Sequence, residues 1–282
     1  MKKILIAYGD QRCAYSLKHI GKQANMLHLF DEVILYTPND LPDYMKSSRL
    51  MQYAYGGGYW AWKPYIIKKT LETHDEGDIV CYVDAGCTLR KTVEWTLYFE
   101  LMKEYDFLCF KYRDEYPEWA KFGSTSTKIK HWGKKKSLLY WDEITGGQAW
   151  RERNKIWGGL IFCKGENNPI ISDWMDVTLN RPEIILDPTA EELKDQYSYF
   201  ALHKHDQVTL VALTYLHSDI CLILPEVSET CGRDVAVYAS RIRARNRKEY
   251  VSLKVKYLGR RILGDSIFEA CKQFLIKIGL TK

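Results

Sequence analysis

GGGYWAWKPYIIKKTLETHDEGDIVCYVDAGCTL, residues 56–89, decides how this chain is built. Its middle, PYIIKKTLETH (64–74), reads as a helix with Pro64 at the first helical position, where the missing N–H costs nothing. The apolar run DIVCYVD (78–84) then reads as a buried strand that ends in a carboxylate. The same alternation continues on both sides. KILIAY (3–8) and VILYT (33–37) are strand signals upstream. Downstream, DFLCFKY (106–112) follows the helical VEWTLYFELMKEY, and WGGLIFCK (157–164) precedes NPIISDWMDVTL. Strands alternating with helices predict an α/β fold with a mostly parallel sheet flanked by helices. Ligands of such sheets sit beyond the carboxyl ends of the strands, so chemistry is expected just after Tyr8, Asp84 and Cys163.

The 282 residues are 46% apolar, 27% charged and 13% aromatic, which excludes a disordered or fibrous chain and suits one sizeable domain with an appendage. No run approaches the roughly 18 apolar residues needed to cross a bilayer, and MKKILIAYGDQRC turns polar too soon for a secretion signal. A cytoplasmic protein is expected. Cysteines 13, 81, 87, 109, 163, 221, 231 and 271 form no CxxC pair and read as reduced thiols, several of them inside strands. Residues 241–282 hold 12 Lys and Arg against 3 Asp and Glu, whereas residues 1–240 hold 29 against 33. The expected division is a near-neutral body, 1–240, and a basic segment, 241–282, that faces a polyanionic surface.

Several constellations can carry chemistry. The glycines at 56–58 let backbone approach a ligand beside Tyr59, Trp60 and Trp62, whose faces can stack on a base or sugar, while Lys63 offers a cation to phosphate. Asp84, followed by the small Ala85 and Gly86, suits a metal–diphosphate site at the sheet edge. In LHKHDQVTL, Asp206 reads as the N-cap of a helix that buries Val208, Leu210, Val211, Leu213 and Leu216. The positive helix start also favours a diphosphate or a carboxylate, so Asp206 is a candidate general base or metal ligand. His205, beside His203, is a candidate metal or phosphate ligand. Tyr8 and Asp10 are placed for a nucleobase or ribose. Residues 112–155 read as a long irregular insertion, an acceptor-binding lid, with Gln148, Trp157 and Gly159 on the acceptor side of the cleft.

With AYGD (7–10), GYWAWKP (58–64), GDIVCYVDAG (77–86) and HKHDQ (203–207), residues 1–225 resemble the bacterial GT-A nucleotide-sugar glycosyltransferases of capsule and lipopolysaccharide assembly. The resemblance implies a Rossmann-like GT-A fold and transfer of a hexosyl or N-acetylhexosaminyl group from a nucleoside-diphosphate sugar, UDP-linked by expectation, to a hydroxyl of a cell-surface glycan or lipid-linked oligosaccharide. It also implies that Arg49 reaches the donor pyrophosphate. The usual Asp-x-Asp signature stands here as Asp84-Ala85-Gly86, so a Mn²⁺ or Mg²⁺ cofactor would rest on Asp84, on the donor phosphates and on a ligand such as His205. Two other readings remain: a sugar-nucleotide pyrophosphorylase, and a non-catalytic membrane- or polyanion-binding protein.

The basic segment joins RIRARNR to apolar residues Ile262, Leu263, Ile267, Ala270, Cys271, Phe274, Leu275 and Ile278 at helical spacing. An amphipathic helix with basic flanks is expected, either packed on the body or lying in an anionic leaflet on the inner face of the cytoplasmic membrane. No nucleic-acid module is recognisable, and no nucleic-acid partner is expected.

Overall fold

The computed structural model describes residues 1–229 and 235–263. Among these, the strands are β1 (Lys3–Tyr8), β2 (Glu32–Tyr36), β3 (Ile79–Val83), β4 (Thr88–Leu89), β5 (Phe107–Lys111), β6 (Ile156–Cys163), β7 (Cys221–Pro225) and β8 (Val237–Tyr238). The helices are α1 (Ala14–Leu27), α2 (Asp43–Lys46), α3 (Gly56–Tyr59), α4 (Trp62–Glu72), α5 (Glu94–Leu101) and α6 (Lys135–Thr145). They continue with α7 (Pro169–Asn180), α8 (Pro182–Ile185), α9 (Ala190–Lys194), α10 (His205–Leu216) and α11 (Arg247–Leu263). The central sheet runs β2-β1-β3-β6-β5-β7 and is mostly parallel, as the sequence predicts.

Strand alternation assigns the helices to two layers. Leu35 lies against Gly21 of α1, and its neighbour Tyr36 hydrogen-bonds Thr70 of α4 at 2.9 Å, so α1 and α4 cover opposite faces. On the α1 face, Phe162 packs with Trp95, Tyr98 and Phe99 of α5. On the other, α4 packs on α7, which in turn meets α10.

Two expectations are corrected. β6 runs antiparallel to both β3 and β5, so its start at Ile156–Gly159, not its end at Cys163, lies at the edge that carries Asp84. The reason is the insertion before it. The chain leaves β5 at that edge and re-enters there, with the Tyr112 amide donating to the Lys155 carbonyl at 2.9 Å. Nor is 112–155 irregular: it contains α6 and buries Trp119, Trp132, Trp141 and Trp150. Two smaller differences concern helices: Pro64 is the third residue of α4, and Leu216 is 41% exposed at the end of α10.

Residues 236–250 fold back onto the body. β8 pairs with β4, the Ile242 amide donates to the Gly86 carbonyl at 3.0 Å, and Ser16 Oγ both donates to the Ile242 carbonyl and accepts from the Ala244 amide. Tyr250, in α11, packs on Tyr15 and His19 of α1. The apolar positions from Ile267 to Ile278 lie outside the described residues. No described helix is long and apolar enough to cross a membrane. Cys13, Cys81, Cys87, Cys109, Cys163 and Cys221 are free thiols, four of them on strands.

Inside the insertion, Lys155 is fully buried. Its Nζ has no hydrogen-bond partner and sits over Trp119, 2.6 Å from the ring centre, with Trp132 at 4.2 Å and Tyr112 at 4.7 Å. Burial, reinforced by the Lys204 charge, pushes its ammonium down to about 5. The folded chain therefore holds a neutral amine where the unfolded chain binds a proton, and folding stability climbs with pH from about 5 towards the ordinary lysine value. Lys155→Met is expected to stabilise the protein by at least about 1 kcal/mol at pH 7, with the gain shrinking as pH rises to 10. Urea unfolding at several pH values checks this.

Candidate functional site

The first residues of the site come from β1 and α4. Tyr8 ends β1 and stacks on Trp62, with ring centres 4.0 Å apart and planes 16° apart. Burial, with Asp10 nearby, raises the Tyr8 phenol far above its ordinary value, so it stays protonated. Asp10 caps the short turn Gln11–Cys13, and both Arg12 Nε (2.8 Å) and its NH2 donate to the same carboxylate oxygen. Arg12 also donates to the Ala54 carbonyl at 2.8 Å, which ties the end of β1 to the glycine loop.

That loop is held by positive backbone angles. Gly57 and Gly58 have φ of 65° and 96°, and a side chain on Gly58 would stand 2.8 Å from the Met51 Cα. Gly56 accepts from the Trp62 indole at 3.2 Å and lies beneath the Trp60 ring. Tyr59 and Trp60 are themselves in the left-handed region, which turns the chain sharply into α4.

The turn delivers Lys63 into the protein. It is 2% exposed and donates to the Gly158 carbonyl at 2.9 Å and to Asp206 Oδ2 at 3.2 Å, with Asp84 Oδ1 at 3.9 Å. The Tyr82 hydroxyl donates to the same Asp84 oxygen, and Tyr82 is also kept protonated by burial and by that carboxylate. Lys63 thus centres a junction of α4, β3, β6 and α10. A Cβ on Gly158 would meet Lys63 Nζ at 3.3 Å and Asp206 Oδ2 at 3.5 Å, so a side chain there would crowd this junction.

Asp206 does not cap α10. The N-cap is Lys204, and His205 opens the helix with φ of 44°, which places the Asp206 carboxylate in the first turn, facing Lys63. His203 is fully buried between the Lys134 amide and the Ile184 carbonyl and is held neutral by burial. His205 donates through Nδ1 to the Ile185 carbonyl at 2.9 Å, and its Nε2 lies 3.6 Å from Asp187.

The expected residues therefore divide. Tyr8, Asp10, Lys63, Asp84 and Asp206 meet at one edge, with Ala85 and Gly86 continuing from Asp84. Tyr59, Trp60 and His205 form an adjoining aromatic group. Arg49 is exposed and lines a separate cavity with Tyr53 and Asp187. Gln148 is exposed on the Gly146–Gly147 turn, whereas the Trp157 ring folds over Gly159, whose carbonyl accepts from the Asp84 amide at 3.0 Å. Asp84 and His205 are not brought together as a ligand pair: both ring nitrogens of His205 face Ile185 and Asp187. Among the described residues, no three His, Cys, Asp or Glu side chains cluster as metal ligands. Of the three residues expected to hold a cation, Asp84 fits, with an oxygen beyond the one that Tyr82 occupies, whereas Asp206 is engaged by Lys63 and His205 is turned to Ile185 and Asp187.

Sequence reasoning missed Arg12, Tyr82, Gly158 and Arg243. The glycine pair inside WGGLIFC is a signal of close backbone approach, and here it accompanies the slip in register between β5 and β6. Arg243 is exposed between Ile242 and Ala244, both buried, and its charge acts on Cys13, Cys87 and Tyr55. The bonds of Ile242 to Gly86 and of Ala244 to Ser16 set its backbone beside the turn after Asp84 and the start of α1, and no ion pair engages it among the described residues.

Removing the central cation leaves the buried Asp206 carboxylate without its ion-pair partner. Lys63→Met is expected to destabilise the fold by about 3 kcal/mol, and Gly158→Ala by about 1–3 kcal/mol, both read from denaturant midpoints.

No protein-family model matches the chain, and no curated protein matches it. Solved structures with a similar chain path include a glycosyltransferase involved in glycosylation of the major capsid of PBCV-1 (10% identity, TM-score 0.43, 82% of this chain and 86% of that one). Mouse xyloside xylosyltransferase 1 matches at 10% identity and TM-score 0.44, over 85% of this chain and 97% of its own. The galactosyltransferase LgtC, solved with donor and acceptor sugar analogues, matches at 11% identity and TM-score 0.40, over 89% and 94%. The likeness is one of chain path, at identities too low to carry residue roles across.

Proposed function

We propose that this protein is a glycosyltransferase that moves a sugar from a nucleoside-diphosphate donor, UDP-linked by first choice, to a hydroxyl. The observation that carries the reading is the junction at Lys63, where Asp84 and Asp206 are held on one ammonium at the carboxyl edge of β1 and β3. Around it stand features suited to the parts of such a donor. The Tyr8–Trp62 stack and the Asp10–Arg12 fork suit a base and ribose, and Arg243 suits a diphosphate. Lys63 is not the phosphate cation expected from the sequence, because its charge is already shared between two carboxylates.

In this reading the acceptor hydroxyl attacks the anomeric carbon while the bond from that carbon to the phosphate oxygen breaks. The electron pair leaves on the diphosphate, where Arg243 offsets the growing charge. Asp206 accepts the hydroxyl proton, and the configuration at the anomeric carbon inverts. Lys63 orients Asp206 and Asp84, and Tyr82 fixes the Asp84 rotamer. A divalent cation on Asp84 and the donor phosphates would add Lewis-acid stabilisation of the leaving group. The acceptor is proposed to be a bacterial cell-surface glycan or lipid-linked oligosaccharide, met at an anionic leaflet with help from the cationic 241–282 segment.

The purified chain is to be tested with UDP-, GDP-, CMP- and dTDP-sugars, each with Mn²⁺, Mg²⁺ or EDTA. One preferred donor is expected. Asp84→Asn and Asp206→Asn should each lower turnover by about 10²–10⁴-fold. Arg243→Ala should weaken UDP binding by about tenfold and leave uridine binding unchanged. Absence of binding to every donor under every metal condition overturns the proposal.

A further inference from the structure

Beside the Lys63 junction lies a cavity, about 270 Å³ in volume, between the segment that leads into the glycine loop, the start of α6 and the stretch from α8 to α9. Its size is just below the range of about 300–1,000 Å³ usual for ligand pockets and suits a single ring better than a chain. Tyr53 and Tyr59 form an aromatic wall, their ring centres 5.4 Å apart. Arg49 and Lys136 stand on the rim.

The charges in this cavity fall into two kinds. Lys134 is buried and satisfied by Glu192 at 3.1 Å, and Glu192 also closes the cap of α9, so that pair is structural. Arg49 and Asp187 are different. No hydrogen bond or ion pair engages Arg49 among the described residues. Asp187 is half-exposed, accepts from the Tyr59 hydroxyl at 2.7 Å through Oδ2, and turns Oδ1 towards His205 and the cavity. A ligand there meets a free donor fork, a carboxylate acceptor and a tyrosine face together. A bare phosphate would satisfy Arg49 but face Asp187, Glu183 and Glu192; a polyhydroxylated neutral ring uses both signs and rests its C–H face on tyrosine.

The cavity also adjoins the reacting edge. Asp187 reaches His205, the residue before Asp206, and Tyr55 feels the charge of both Asp187 and Asp206 while its ring touches Tyr59 and His205. We propose that the cavity lined by Arg49, Tyr53, Tyr59 and Asp187 is the subsite for a neutral glycosyl residue of the acceptor, with Asp187 accepting its hydroxyl protons. The assignment to the acceptor rests on the glycosyl-transfer reading above; the sugar chemistry of the cavity stands on its own.

Saturation-transfer NMR on the full chain, with methyl glycosides of glucose, galactose, mannose and N-acetylglucosamine, tests this, with UDP affinity measured on the same samples. At least one glycoside is expected to bind saturably, and Asp187→Asn and Arg49→Ala are each expected to weaken it by about tenfold. Lys136→Trp, placed on the exposed rim, is expected to abolish the signal by filling the cavity, with circular dichroism to verify that each variant is folded. Binding unchanged in all three variants, or inorganic phosphate competing with the glycoside, overturns the proposal. A wild-type chain that binds UDP but no glycoside overturns this subsite and leaves the donor reading standing. Asp187-dependent glycoside binding without any nucleotide binding supports the sugar site and overturns glycosyl transfer.

Discussion

One buried ammonium organises this protein. Lys63 lies where four separate elements converge, and its proton-bearing nitrogen is the common partner of a strand-end carboxylate, a helix-start carboxylate and a strand carbonyl. An unpaired cation at that depth would be prohibitive, and two carboxylates so close would repel one another. The buried Lys63 and Asp206 charges offset each other, and Asp84, a third exposed, adds a second carboxylate at 3.9 Å. The positive-φ glycine loop, the left-handed His205 and the glycine at 158 follow from this, since each removes bulk or bends backbone to bring the partners together.

Much of the scaffold was legible because it depends on local signals. Five strands announced themselves as apolar runs, and three of the helices that follow them were readable from their periodicity. The direction of β6 was not legible, since strand polarity depends on the path of the preceding connection, and residues 112–155 hide a packed aromatic unit behind a lysine-rich surface. The Lys63, Asp84 and Asp206 residue types stood out, but their partnership did not. Nothing in the spacing of 63, 84 and 206 says that the lysine will turn inward to the carboxylates instead of outward to a ligand.

Arg49 and Arg243 make the same point from the other side. Both are arginines in loop or turn sequence, and a reading based on motif proximity favours the one nearer the glycines. Hydrogen bonds from Ser16 and Gly86 anchor the residues on each side of Arg243 at the sheet edge, whereas Arg49 opens onto the cavity of Asp187.

The fastening of Ile242 and Ala244 onto Ser16 has a consequence for biosynthesis. During translation at roughly 5–20 residues per second, every strand of the central sheet emerges before the segment that walls its carboxyl edge. Until residues 240–244 emerge, the Gly86 carbonyl and the Ser16 hydroxyl lack the partners that this segment supplies. Completion of that edge is therefore coupled to the arrival of residues 240–244.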